Sequence, residues 1–306
     1  MTRLAMSLVV RDEIELISAN IEFHAAHGVD AFFVMDNGST DGTRELLGEL
    51  ARTYDMVVVD QPDRSFKQGE WATELAHMAR DVGKADYIIT NDADEFWVSR
   101  TGSLKHQCTG RNPVVSVGRS NMLPLAEEIS RPDYPFYRSV LRVDSPLEAG
   151  TPTTDPRAKI RMMLRVMPRK IMCSLNGLKR IQLGNHTIQH EAGCPVELDS
   201  LHIYHFPVRH FDQFAKRIEF AKEQFAHESF LGNGNFCWHK RRWVAQSELG
   251  LLRSEWESFL LDNGEVDELE SLGVIRQDET IRQFFVPSES GRSSPKGQPR
   301  SNVTAT

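Results

Sequence analysis

The sequence predicts an α/β protein with a Rossmann-like, mainly parallel twisted sheet flanked by helices and a helical carboxyl-terminal segment. Three observations predict it. Short apolar runs alternate with helix-period segments through the first hundred residues, joined by short links. Asp12, Asp36, Asp60 and Asp92 follow the four apolar runs, at the carboxyl ends of strands where open parallel sheets bind ligands. Two of those ends carry several acids, Asp36–Asp41 and Asp92–Glu95. Acids so close on one edge repel each other and call for a cation or a cationic partner.

Taken in order, Leu4 to Val10 reads as the first strand. From Glu13 to His27, Ile14, Ile17, Ile21 and Ala25 recur at helical spacing, and Gly28 suits the residue just past a helix end. Ala31 to Met35 is the second strand. Ser39 or Thr40 is expected to cap a helix running to Arg52, with Leu46, Leu47 and Leu50 turned inward. Met56 to Val59 is the third strand, Gln68 to Val82 a helix with Trp71, Leu75, Met78 and Val82 on one face, closed by Gly83, and Tyr87 to Thr90 the fourth strand. Such alternation implies parallel strands joined by right-handed crossovers. Val114 to Val117 is a further short strand, and the proline-rich stretch 124–157 reads as a long ordered loop or flap. Short strands are expected at Arg169 to Ile171 and at Ile181 to Ile188, and another at Leu201 to Phe206. Helices are expected at Asp212 to His227 and Trp243 to Leu261. The expected division is a nucleotide-binding and catalytic core over 1–210, a helical segment over 211–286 packed on it, and a disordered Ser/Gly/Pro-rich tail over 287–306.

A chain of 306 residues can bury a large core. Its formal charge of -7 weighs against binding nucleic acid through the phosphate backbone. No run approaches the ~20 apolar residues of a membrane span. The start, Met1-Thr2-Arg3, enters strand-like sequence without the features of a signal peptide, so a cytoplasmic location is expected. Cys108, Cys173, Cys194 and Cys237 form no CxxC pair and read as reduced thiols.

Asp92-x-Asp94 is the leading chemical motif. A lone pair of this kind also occurs in solvated turns, but its position after an apolar strand, beside Glu95 and ahead of Phe96-Trp97, points to a cation-binding edge. Asp36-Asn37-Gly38-Ser39-Thr40-Asp41-Gly42-Thr43 could equally be a good strand–helix turn, or could present Asp36 to a base N–H. His202 and His205 stand three apart on a strand, so they face opposite ways and at most one can reach such a site. Asn185-His186 reads as a hydrogen-bonding turn or as an acceptor or phosphate contact. Lys67, Lys170, Arg180 and Arg209 read as solvated charges, with Arg209 the best placed to meet a diphosphate. The chain has no GxGxxG after its first strand, no GxxxxGK[ST] loop and no GxSxG elbow.

Together Val9–Glu13, His24–Asp30, Asp36–Thr43 and Asp92–Phe96 resemble the family 2 glycosyltransferases of the GT-A fold, more narrowly a subgroup related to family 92. The resemblance resumes at Tyr204–Arg209 with Gln213, Phe214 and Lys216, where Phe206 and His210 depart from the usual tyrosine and serine. It implies a metal-dependent transfer of a sugar from a nucleoside-diphosphate-sugar donor, UDP-sugar foremost, to a glycan or other hydroxyl acceptor, with inversion. By position it implies that Asp12 and Asp36 contact the base, Asp92 the ribose or the metal, Asp94 and His205 the metal, and Arg209 the donor. Mixed carboxylate and imidazole ligation suits Mn²⁺ as well as Mg²⁺. The family often has a second acid where this chain has Asn37. No general base is identified; Glu127, Glu128 and Asp133 lie in the segment where an acceptor flap is expected. Two other readings are a sugar nucleotidyltransferase, which should carry a Gly-rich loop after the first strand, and a non-catalytic binding protein of the same fold.

Overall fold

The computed structural model describes residues 1–65, 67–147, 153–226 and 237–286. Its first half follows the expected alternation: β1 (Leu4–Val10), α1 (Ile17–Ala26), β2 (Ala31–Asp36), α2 (Thr43–Leu50), β3 (Met56–Asp60), α3 (Gln68–Asp81) and β4 (Tyr87–Asn91). Period-two sequence sorts side chains to two cores. Leu4, Met6, Leu8, Phe32, Val34 and Ile89 pack with Ile17, Ile21 and Leu47 of α1 and α2. Ala5, Phe33, Met35 and Ile88 pack with Trp71, Leu75 and Ala79 of α3. Each fully buried branched or aromatic side chain contributes about 1.5–3 kcal/mol relative to exposure. Gly28 follows α1 at φ 102°, a left-handed turn that glycine enters at no steric cost.

The chain continues through β5 (Glu95–Ser99), β6 (Val114–Val117), β7 (Arg119–Leu123), α4 (Ala126–Ile129), β8 (Leu141–Val143), β9 (Lys170–Ser174), β10 (Leu178–Ile181), β11 (Ile188–His190), β12 (Val196–Glu197) and β13 (Leu201–His205). Then come α5 (Phe211–Ala226), α6 (Trp238–Glu248), α7 (Leu252–Glu257), α8 (Asn263–Ser271), β14 (Ile275–Gln277) and α9 (Thr280–Phe285). The main sheet runs β12-β6-β9-β4-β1-β2-β3. Its β4-β1-β2-β3 half is parallel, and β9 joins β4 and β6 antiparallel. A second sheet runs β14-β8-β7-β13-β5, with β13 parallel to β7 and antiparallel to β5. The predicted class is therefore the one observed.

Several elements differ from expectation. Helix α1 starts at Ile17 because Ile14 N–H is taken by Asp41 Oδ2 (3.1 Å) and the chain turns at Asp12. Helix α2 starts at Thr43, and neither Ser39 nor Thr40 caps it: its N-cap is Gly42, with no side-chain cap. The helix expected over Trp243 to Leu261 is two, α6 and α7, broken where Gly250 turns at φ 70°. The proline-rich stretch holds α4 and β8, and β10 and β11 form a hairpin around the turn Leu183–Asn185. Strands β5, β7 and β14 were not expected. Strand β14 pairs with β8, so the carboxyl-terminal segment completes a sheet of the core as well as packing helices on it. The expected tail, residues 287–306, and the helix end at His227 lie outside the described residues. Among the described residues no helix is long and apolar enough to cross a membrane. The four cysteines are free; burial pushes the Cys108 and Cys173 thiols up to about 12.

Candidate active site

Strand order reverses at β1: β2 and β3 lie on one side of it and β4 on the other. Such a switch point opens a crevice at the carboxyl ends of the strands flanking it, here β1 and β4. The Asp92–Glu95 run follows β4, and the Asp36–Asp41 run follows β2, the next strand beyond β1.

The β2 end is built from near neighbours in sequence. Asp12 turns into the left-handed region (φ 53°), which aspartate tolerates. Its Oδ1 then accepts from the Thr40 N–H (2.6 Å) and from Thr40 Oγ1 (3.3 Å), while its own N–H donates to Ser39 Oγ (3.0 Å). Asp41 accepts from the Thr43 N–H and hydroxyl, and Thr43 Oγ1 accepts from the Glu13 N–H. Burial raises the Asp41 carboxyl, but bonds from Thr43 and Ile14 outweigh it and hold it below the usual range. Asp36 is buried; its Oδ2 accepts from the Ser39 N–H (3.0 Å) and its Oδ1 has no partner among the described residues. Asn37 donates its amide to the carbonyls of Gln61 (2.9 Å) and Asp63 (2.7 Å). Arg11 donates to the Asn37 carbonyl (2.6 Å) and lies 4.0 Å over the Phe220 ring, which brings α5 across the ends of β1 and β2.

The β4 end rests on a buried polar network beneath the turn. Asn20 donates to the carbonyls of Ala93 and Glu95, both at 2.9 Å. Asn91 donates to Asn20 Oδ1 and the Glu95 carbonyl, and accepts from Trp97 Nε1. His24 Nε2 accepts from the Trp97 N–H (3.0 Å), so Nδ1 carries the proton donated to the Asn20 carbonyl (2.7 Å). Burial drives the His24 pKa down to about 3. These bonds explain the His24 element as a buttress under the acidic turn.

Side chains remote in sequence then neutralise the acids. Lys170, fully buried on β9, reaches Asp92 Oδ2 (2.5 Å) and Glu95 Oε2 (3.3 Å), and Arg119 of β7 pairs with Glu95. Gln68 Nε2 faces Asp92 Oδ1 at 3.4 Å. Burial pushes the Asp92 carboxyl up, and the Lys170 charge overrides it to give a lowered pKa. Asp94 lies between His205, whose Nε2 is 3.7 Å from Oδ1, and Arg217 of α5, 3.4 Å from Oδ2. Burial again opposes ionisation there, and His205, Arg217 and Arg209 hold the carboxyl well below the usual range. Arg217 also pairs with Glu13 Oε1 (2.7 Å), and buried Arg209 with Glu13 Oε2 (2.9 Å). Lys170 and Arg209 are thus buried counter-ions, contrary to the expectation of solvated charges.

The residues expected at the site divide accordingly. Asp12, Asp36, Asp92, Asp94, His205 and Arg209 lie on the crevice edge or on the ion pairs behind it. His202 turns to the other face of β13, against Ser120 (3.1 Å). His186 bonds the Arg169 carbonyl through Nδ1 (2.8 Å), and burial, with Lys170 and Arg119, lowers its pKa to about 4. Glu127 and Asp133 are exposed. Among the described residues no hydrogen bond or ion pair links Glu127, Glu128 or Asp133 to the acids at 92–95. Glu13, Arg119, Asn121 and Arg217 escaped the sequence reading. Glu13 alone had a signal, its place inside the Val9–Glu13 motif.

A divalent cation suits one part of this arrangement. Asp94 Oδ1 and His205 Nε2 face each other at 3.7 Å, too far for a hydrogen bond. Two ligands with bonds of about 2.1 Å stand about 3–3.5 Å apart around one ion, so a small closure would let both serve it. Asp92 turns to Lys170 and Gln68 and does not join the pair. Among the described residues no three His, Cys, Asp or Glu side chains gather as a metal site. A cation bound by few side chains and completed by substrate phosphates and water is a common Mg²⁺ arrangement.

No protein-family model and no curated protein matches the chain. Among solved structures it is similar to residues 1–349 of S. aureus TarS, at 11% identity over 85% of this chain and 83% of that one, with a TM-score of 0.38. The same fragment in complex with UDP matches at 12% identity over 39% of this chain and 36% of that one, TM-score 0.34. Its complex with UDP-GlcNAc matches at 14% identity over 39% and 35%, TM-score 0.34. In these two complexes the matched region spans little more than a third of the neighbour's length. Likeness at this level decides neither activity nor substrate.

Proposed function

We propose that the chain is a GT-A glycosyltransferase that moves a sugar from a nucleoside-diphosphate donor, UDP-sugar foremost, to an acceptor hydroxyl. One observation carries this reading. The unpartnered acceptor Asp36 Oδ1 and the facing pair Asp94–His205 both lie along the carboxyl edge of the sheet that reverses at β1. Asp36 Oδ1 would accept from a base N–H, since a buried carboxylate oxygen without a donor favours a ligand that supplies one. Asp92, whose carboxylate Lys170 holds ionised, would accept from the ribose hydroxyls. Asp94 and His205 would hold Mn²⁺ or Mg²⁺, which when bound supplies charge stabilisation to the departing diphosphate. Arg217, already on Asp94, would meet the same phosphates. The resemblance of the motifs implies a single displacement with inversion, in which a base removes the acceptor proton.

The test is calorimetry of UDP binding with Mn²⁺ and with chelator. Binding should be markedly tighter with Mn²⁺, and Asp94→Asn should abolish the difference while leaving the thermal unfolding transition cooperative. Equal affinity in both conditions for the wild type would remove the metal from the proposal. No UDP binding in either would remove the donor assignment as well.

A further inference from the structure

The register of the second sheet sets three side chains in one row. His205 of β13 lies opposite Asn121 of parallel β7 and opposite Glu95 of antiparallel β5. Side chains directly opposite share a face, so Asn121 and His205 point the same way. A backbone bond from the Phe206 N–H to the Asp94 carbonyl (2.8 Å) then holds Asp94 beside the histidine.

Asn121 is buried, and its amide cannot be turned over. Its Nδ2 donates to the carbonyl of Met163 (2.8 Å), a group that only accepts. The amide Oδ1 must therefore face His205 Nδ1, 2.7 Å away. An oxygen there requires a proton on Nδ1. In the neutral ring the lone pair then sits on Nε2, the nitrogen that faces Asp94 Oδ1. A lone pair opposite a carboxylate repels it, and a cation shared between them, a proton or a metal ion, relieves the repulsion.

We infer that Asn121 is a positioning residue: anchored by the Met163 carbonyl, it selects the His205 tautomer whose Nε2 can ligate a cation shared with Asp94. This rests on the metal reading above for its purpose, but not for its geometry. An outer partner of this kind orients the ring and raises ligand affinity, and its loss typically costs 10–100-fold in metal binding. Remove Asn121 Oδ1, and a buried Nδ1–H has no acceptor. The ring then does better with its proton on Nε2, bonded to Asp94, where it ligates nothing.

The experiment uses the full chain and two substitutions. In metal-free protein under alkaline conditions, ¹⁵N NMR of His205 should show the Nδ1–H tautomer in the wild type. Asn121→Asp, which keeps an acceptor toward Nδ1, should retain it. Asn121→Leu should show Nε2–H. Mn²⁺ affinity, read by the EPR signal of free ion with UDP present, should fall tenfold or more in Asn121→Leu and stay within about threefold in Asn121→Asp. An Nε2–H tautomer in the wild type overturns the inference without need of any variant. So does an Asn121→Leu protein that keeps Nδ1–H or binds Mn²⁺ like the wild type. His205→Ala separates the two levels: Mn²⁺ affinity unchanged in that variant discards the metal assignment, while the tautomer measurement still decides whether Asn121 sets the ring.

Discussion

The two acidic strand ends are wired in opposite ways. At β2, Asp12, Asp36 and Asp41 are satisfied by backbone N–H groups and hydroxyls within about thirty residues, and Asp36 keeps one oxygen free. At β4, Asp92, Asp94 and Glu95 are met by side chains from β7, β9, β13 and α5. A locally wired loop can form with its own strand and present an unused acceptor. A remotely wired cluster exists only when the whole sheet closes, and its acids are compensated before any ligand arrives. The β2 end should therefore tune affinity, and the β4 end should govern both stability and the handling of charge.

The largest break in that comparison is Lys170→Met. Lys170 is the counter-ion of both Asp92 and Glu95, and Glu95 is fully buried. Its removal takes the buried ammonium from Asp92 and leaves Glu95 to Arg119, and weakening a buried ion network in this way costs up to about 3–5 kcal/mol. Urea denaturation followed by circular dichroism should show a loss of that order. A variant within about 1 kcal/mol of the wild type would mean that the β4 acids do not depend on Lys170.

Acid should separate the two ends next. The folded state holds the His24 pKa at about 3, against about 6.5 in the unfolded chain. The unfolded chain takes the proton first, so the contribution of His24 is intact above pH 6.5 and declines as pH falls toward 3. The slope is about 1.4 kcal/mol per pH unit while His24 alone titrates. His186 and His202, both lowered to about 4 by burial, act in the same direction. The bond first threatened is Trp97 N–H to His24 Nε2, beneath the acidic turn. At the β2 end the Asp41 carboxyl is lowered, so its bonds persist until pH falls below about 4. Hydrogen exchange at pH 5 should show the Trp97 amide losing protection relative to pH 7 while the Thr43 amide does not. Equal protection of Trp97 at both values would refute the buttress.

The same division explains what could be read in advance. Strands β1 to β4 and helices α1 to α3 follow from period-two and period-3.6 patterns, which are local properties. Asp36, Asp92 and Asp94 were legible because they follow apolar strands directly. Nothing within ten residues of Lys170 is acidic, so the sequence alone points to a solvated charge; its partners come from pairing β9 with β4. Arg217 is one of several charges on an amphipathic helix, and Asn121 sits on a strand of five residues with no apolar alternation, Arg119–Leu123. Sheet closure places Lys170 and Asn121, and the packing of α5 places Arg217; neither is a local property. His205 was legible only through its motif, and the parity of β13 correctly set His202 on the other face.

A smaller effect is expected from Asp36→Ala. It removes the free acceptor without touching Lys170 or His205. UDP affinity should fall about tenfold to a hundredfold, the value of a hydrogen bond to a charged group. Turnover at saturating donor should change little, as for an interaction made equally in ground and transition states. Normal affinity with collapsed turnover would reassign Asp36 from binding to chemistry.

The smallest effect sharpens the comparison most. Ser39→Ala deletes the oxygen that accepts the Asp12 N–H at 3.0 Å. The bond is half-buried and neutral, so water can replace part of it and the loss should be about 0.5–1.5 kcal/mol. Ser39 and Lys170 share no hydrogen-bond partner. If the two ends are wired separately, the loss in Ser39→Ala/Lys170→Met should equal the sum of the single losses to within about 0.5 kcal/mol. Mn²⁺ affinity of Ser39→Ala should match the wild type, because Asp94, His205 and Asn121 keep all their bonds. A coupling well beyond 0.5 kcal/mol, or a loss of Mn²⁺ binding in the single variant, would show that the crevice responds as one unit. Local and remote wiring would then describe how each end is assembled, not how it works.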